Sequence, residues 1–140
     1  MEFEEVIKKR RSIRAFEKRK VEKEKVDKIL SLVNLAPSAG NLQAYKVFVV
    51  KNEEKIKEIA HATYGMGHFK NLPPLILIFC ANPAESSSRY GERGRTLYAF
   101  QDATIACVFA HLTVASLGLG SCWVGAFDEE KVKEILKTDL

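Results

Sequence analysis

The run from Thr96 to Leu117 reads as one long helix that is apolar nearly all round, interrupted by Gln101, Asp102 and His111. A helix without a polar face has to be covered on every side. A membrane would cover it, and the length suffices. A mid-span Asp102, however, costs about 2.5 to 3.5 kcal/mol, and no Lys or Arg anchors the C-terminal end. The segment therefore reads as a core or subunit-interface helix. At 140 residues the chain has room for one domain. One domain of that size offers too few partners to wrap such a helix alone, so a homodimer is expected.

The other elements follow from periodicity and punctuation. Phe3, Val6 and Ile7 at helical spacing predict a short first helix ending near Arg11. Val26, Ile29, Leu30 and Val33 form one stripe of a helix between Glu22 and Leu35, which Pro37 stops. Pro37 to Ala44 is a loop of small and polar residues, and Lys46 to Val50 is a first strand with β-branched content. Asn52 caps a third helix with Ile56, Ile59 and Ala60 inward, ended by Gly65 and Gly67. Leu75 to Ala81 is apolar without alternation, as in a strand covered on both faces, which implies helices above and below. Asn82 to Arg95 has the composition of a mobile loop or lid. After the long helix, Ser121 to Gly125 reads as a third buried strand, and Asp128 caps a last helix through Leu136, with Phe127 and Val132 as its staple. The architecture is a small mixed sheet sandwiched by helices.

Composition narrows the function classes. The formal charge of +4 comes from 22 basic against 18 acidic residues, mostly interleaved on helical faces, so no nucleic-acid footprint is expected. Cys80, Cys107 and Cys122 are odd in number and lack metal spacing, so disulfides and zinc are not expected and the compartment reads as cytoplasmic. Met1 to Arg14 carries alternating charges, unlike a signal peptide. Neither GxGxxG after a strand nor GxxxxGK[ST] occurs.

Three clusters carry candidate chemistry. Arg10-Arg11-Ser12-Ile13-Arg14 gathers three guanidiniums and a hydroxyl, a donor set suited to a phosphate monoester; a solvated basic helix end is the plain alternative. Ala36-Pro37-Ser38-Ala39-Gly40-Asn41-Leu42-Gln43 offers small side chains beside which a flat ligand approaches the backbone, with Asn41 and Gln43 able to donate and accept. Around Gly125 and Ala126, backbone N–H groups stand unshielded at a strand's C-terminal edge, where ligands of α/β sheets gather. Each stretch, taken singly, also fits ordinary loop or turn chemistry.

In combination the chain resembles the flavin-dependent nitroreductase family. The matching pieces are Arg10 to Arg14, Ala36 to Gln43, Asp102 to Ala106 and Gly118-Leu119-Gly120-Ser121-Cys122-Trp123-Val124-Gly125, in the family's order and spacing over essentially the whole chain. The resemblance implies an α+β fold, a three-layer α/β/α sandwich with a small mixed sheet and the long helix as dimer core. Residues 1–140 would form a single nitroreductase-like domain. The homodimer would bind FMN at two sites between subunits, with Arg10, Arg11, Ser12 and Arg14 on the phosphate and ring edge. Pro37, Ser38, Ala39, Asn41 and Gln43 would come from the other subunit, and backbone at Gly125 and Ala126 would donate toward flavin N5. NADH or NADPH would give hydride, and a nitro compound, quinone or similar small-molecule acceptor would take it, in a ping-pong cycle that needs no catalytic side chain and no metal. His61 and His68, near the loop before Pro73, could donate a proton, although solvated or helix-end histidines are commoner; Lys70 could reach the flavin ring or phosphate; and Tyr90, Arg93 and Arg95 could touch the nicotinamide nucleotide's phosphates, although a charge run in a loop is usually just solvated.

Two departures stand out. Members of that family usually continue past the last helix into another strand and a following Lys or Arg, a segment that residues 1–140 do not include. Ala44-Tyr45 stands where Pro-Trp is common. A flavin-binding or sensor module without turnover is the alternative reading, and a basic nucleic-acid binder built on Arg10 to Arg19 a more distant one.

Overall fold

Eight elements follow one another in the computed structural model, which describes all of residues 1–140: α1 (Phe3–Lys9), α2 (Lys23–Val33), β1 (Tyr45–Val50), α3 (Glu53–Ala62), β2 (Ile76–Ala81), α4 (Pro83–Arg93), α5 (Ala99–Ser116) and α6 (Glu129–Leu136). The apolar stripe of α2 is buried as its spacing predicts, with Ile29 at 1% and Val33 at 2% exposure. These side chains pack on Ala106 and Ala110 of α5, whose small size lets the two helices approach closely. Burying each large aliphatic side chain contributes about 1.5–3 kcal/mol.

The strands β1 and β2 form an antiparallel pair, with Tyr45 opposite Ala81 and Val50 opposite Ile76. Alternation along them sorts the two faces. Tyr45, Val47, Leu77 and Phe79 pack toward α2 and α5, while Val50, Ile76 and Ile78 pack with Ile56 and Ile59 of α3 and with Ile135 and Leu136 of α6. The fold is therefore α+β, with a small sheet between two helical layers. Asn52 and Asp128 cap α3 and α6 as expected, accepting hydrogen bonds from Lys55 N at 2.9 Å and Lys131 N at 3.2 Å. The helix α3 already ends at Ala62, before the two glycines. The helix α5 lies in the only stretch long and apolar enough to cross a membrane, yet it packs on α1, α2 and both strands as a core helix.

Two expectations are corrected. The sheet is two-stranded and antiparallel, not mixed, because Ser121 to Gly125 makes a single parallel bridge, from Ser121 to Ser12. Its neighbour, the extended segment after α1, divides its hydrogen bonds: Ile13 N donates to Ser121 O on one side, and Arg14 O and Phe16 N bond Lys70 on the other.

The stretch from Asn82 to Arg95 is helical, not a lid-like loop. Asn82 accepts from Glu85 N at 3.2 Å as the cap of α4, and Pro83 occupies its first turn, where a missing N–H is tolerated. A kink at Gly91 and a π-helical turn over Gly94–Tyr98 then lead directly into α5. Gly94 allows this junction, since a Cβ there would lie 2.5 Å from the carbonyl oxygen of wholly buried Ser86.

Candidate functional site

The basic end of α1 meets the end of α5. Gly118-Leu119-Gly120 turns the chain after α5, and Gly120 lies so close to Ile13 that a Cβ would stand 2.9 Å from Ile13 Cγ1. Ser121 is thereby brought against Ser12, and a cleft of about 300 Å³ opens between Lys9, Arg10, Arg11 and Ile13 on one side and Ala115 and Gly118 to Ser121 on the other. Arg19, Lys23, Arg95 and Lys133 each have a carboxylate partner. Lys9, Arg10, Arg11 and Arg14 have none, like most basic side chains of the chain, but Lys9, Arg10 and Arg11 are distinguished by lining one cleft. Concentrated unpaired cations around a cleft are what an anionic ligand requires, and guanidinium forks suit phosphate oxygens.

Behind the cleft, His111 joins its two walls. Arg10 Nη1 lies 3.2 Å from His111 Nε2, and His111 Nδ1 is in short hydrogen-bond contact with Ser121 Oγ. Trp123 meets the imidazole edge-on, with ring centroids 6.1 Å apart. Burial, and then the Arg10 charge, push the His111 pKa below its ordinary value.

The loop before β1 is organised around Asp102 of α5. This carboxylate is 2% exposed, and its Oδ1 accepts from Ala39 N at 3.0 Å while Oδ2 has no partner. Gly40, Asn41 and Gln43 all have positive φ, at 60°, 56° and 49°. For a non-glycine residue this region is costly, and strain of that kind collects at functional sites. Several bonds hold it in place: Gln43 N donates to Ser38 Oγ at 3.0 Å and Gln43 Nε2 to Asn34 O at 3.2 Å. The Tyr90 hydroxyl and the Arg89 guanidinium of α4 crowd Gly40 from above. Pro37, Gly40 and Asn41 remain exposed, with Ser38 and Ala39 half-buried.

The two sites do not converge within one chain. Asp102 and His111 are nine residues apart, roughly 13 Å along the helix and about half a turn around it, so the loop and the cleft lie on opposite faces of α5. Arg14 and Lys70 do come together, with Lys70 N donating to Arg14 O at 2.9 Å, and both side chains are exposed. Gly125 and Ala126 are exposed and their N–H groups donate to nothing in the chain, whereas Ala126 O accepts from Tyr64 N. His61 and His68 are exposed on the α3 side, away from His111. In α4, Tyr90 packs edge-on against Tyr98, to whose hydroxyl Arg93 Nε donates at 3.0 Å, while Arg95 is paired with Glu92. The sequence reading missed His111 and the Asp102 clamp as working groups. Their signal was present as two of the polar interruptions in an otherwise apolar helix.

Comparison with known proteins identifies the family. A family model described as Nitroreductase family matches residues 7–71 and 60–139. The solved structure of a nitroreductase family protein from Clostridium novyi NT superposes with a TM-score of 0.88 at 34% sequence identity, over 99% of this chain and 78% of that one. An FMN-dependent nitroreductase from Clostridium difficile gives a TM-score of 0.78 at 32% identity, over 94% of this chain and 76% of that one. A relative from Archaeoglobus fulgidus, described provisionally as an NADH dehydrogenase/NAD(P)H nitroreductase, is 32% identical over 128 residues, which span 91% of this chain and 70% of the relative. The chain belongs to the nitroreductase family.

Proposed function

We propose that this chain forms a homodimeric, FMN-dependent oxidoreductase that uses NADH or NADPH to reduce a nitro compound, quinone or similar small-molecule acceptor. The observation that carries the reading is the pairing of an unpaired cationic cleft with a strained, exposed polar loop on opposite faces of one helix. The cleft's donor set, Lys9, Arg10 and Arg11 with Ser121, fits a phosphate monoester, and Ser12 and Arg14 extend it toward Lys70. Its 300 Å³ suits the phosphate end of FMN better than the whole molecule. The ring would then lie against Pro37, Ser38, Ala39, Asn41 and Gln43 of a second copy.

An uncovered stripe on α5 supports the dimer. Phe100, Thr104 and Val108 follow one another at helical spacing, with Phe100 52% and Val108 39% exposed. Covering that stripe with a second α5 would bury it and carry each loop across to the other chain's cleft.

Bound FMN would supply the redox chemistry, taking hydride from the nicotinamide nucleotide and passing it to the acceptor in alternating half-reactions. The chain's own groups bind and orient. Arg10, Arg11 and Arg14 would neutralise the phosphate and Ser12 would donate a hydrogen bond to it, the loop would exclude water from one side of the ring, and the free N–H groups of Gly125 and Ala126 would donate to its polar edge. No side chain has to act as nucleophile or general base. The three cysteines are all unpaired, which suits a reducing cytoplasm.

The test is the visible spectrum of the purified full chain after reconstitution with FMN, followed by NADH and NADPH oxidation with a nitroarene or quinone. A flavin spectrum with turnover is expected, and Arg10→Ala should weaken FMN binding about ten- to a hundredfold. A protein that stays colourless overturns the reading, and a yellow protein without turnover replaces it with a flavin-binding module.

A further inference from the structure

Arginine has five N–H donors and no lone pair to offer. At the 3.2 Å contact between Arg10 Nη1 and His111 Nε2, the ring nitrogen must therefore accept. Only one neutral tautomer allows that, with the proton on Nδ1, and Nδ1–H then donates to Ser121 Oγ. A hydroxyl that accepts from the ring keeps its own hydrogen for another partner. Arg10 and Ser121 both line the cleft, while His111 stands behind them and does not.

We propose that His111 is a positioning residue for the anion cleft: as the neutral Nδ1–H imidazole it steadies Arg10 and leaves the Ser121 hydroxyl to donate to a phosphate-type anion. The proposal builds on the FMN reading above. The groups facing the ring are few. Arg10 approaches from the end of α1, Ser121 and Trp123 from the segment after α5, and Cys107 and Ala115 flank His111 one turn away on α5 itself. Arg10 is the one charge that bears on it, and both burial and that charge favour the neutral ring.

Protonation reverses the arrangement. An N–H on Nε2 would face the N–H groups of Arg10, so the guanidinium must swing away from its place in the cleft wall. The added charge sits behind the wall, where it cannot replace a direct bidentate contact with the anion. Anion affinity should thus fall as His111 takes up its proton, below the ordinary histidine value of about 6.5.

FMN affinity of the full chain, followed by flavin fluorescence from pH 8 to pH 5, separates this from the phosphate's own ionisation when His111→Gln and His111→Leu are compared with the unaltered protein. Gln offers a carbonyl to Arg10 and does not titrate, so H111Q should bind within a few-fold of the parent at pH 8 and lose less affinity on acidification. H111L, with no acceptor, should bind about ten- to a hundredfold more weakly at pH 8. Nitrogen NMR of His111 in the flavin-free protein should show the Nδ1–H tautomer. The proposal is overturned by the Nε2–H tautomer, by H111L binding as tightly as the parent, or by identical pH curves for H111Q and the parent. If H111L fails to fold, the H111Q curve and the tautomer still decide. If the parent binds no FMN at any pH, the proposed function falls, and the tautomer with an inorganic phosphate titration of the His111 resonances judges the positioning role alone: unmoved resonances overturn it.

Discussion

At Asp102, α5 buries a carboxylate to 2% exposure beneath a loop; at His111, nine residues on, the same helix places a half-buried imidazole behind an open cleft. The first end is dry and specified by steric fit. The second is wet and specified by cations left without partners. Stability should therefore concentrate at the Asp102 end and ligand affinity at the His111 end, and substitutions at the two ends should differ in what they damage.

Gly94→Ala should have the largest effect on stability. Its Cβ would lie 2.5 Å from the Ser86 carbonyl oxygen and 2.7 Å from the carbonyl carbon, both backbone atoms that no rotamer change can move. A loss of about 3 kcal/mol is expected in urea denaturation, at the upper end of overpacking effects. A loss under about 1 kcal/mol would show that the α4–α5 junction yields easily and would break the contrast between the ends.

Asp102 should come next. Asp102→Ala strands the half-buried Ala39 N–H and frees a loop that holds Asn41 and Gln43 at φ of 56° and 49°. About 2 kcal/mol of stability should be lost, with faster amide exchange across residues 38–43. Asp102→Asn keeps the accepting carbonyl and replaces the unpartnered Oδ2 by a neutral group, so it should lose less than about 1 kcal/mol. Equal losses for Ala and Asn would mean that the negative charge, and not the single bond to Ala39, holds the loop.

How far the sequence carried these features depends on how local each one is. The α2 stripe of Val26, Ile29 and Val33 and the caps Asn52 and Asp128 act within a few residues, and their periodicity and chemistry made them legible. The helix α4 was not, because Pro-Ala-Glu-Ser-Ser-Ser is a poor helix former on propensity, and the close approach of Gly94 to wholly buried Ser86 is a contact that no local pattern announces. The Asn82-Pro83 start signal was available and outweighed by composition. Cys122, Trp123 and Val124 have strand character, but a strand needs a paired neighbour, which no local pattern reveals; the pairing here stops at the single bridge of Ser121 with Ser12. The site shows the same division. Arg10 to Arg14 suggests its proposed chemistry by residue type, whereas His111 contacts Arg10, 101 residues away, and Ser121 on the far side of a turn.

The smallest expected effect is the stability response of the cleft end to mild acid. Because burial and Arg10 lower the His111 pKa, the unfolded chain binds a proton at this residue more readily than the folded one. The folded state's advantage is then fully present above the unfolded histidine value near 6.5 and is lost as pH falls from there through the lowered folded value. Urea denaturation of the flavin-free protein between pH 7.5 and pH 5 should show a shallow decline that His111→Gln flattens, since Gln keeps an acceptor for Arg10 without taking up a proton. His61 and His68 remain in both proteins, so the difference between the two curves isolates His111. A decline of the same depth in both would place the acid response elsewhere in the molecule, and the cleft end would then differ from the Asp102 end in exposure alone.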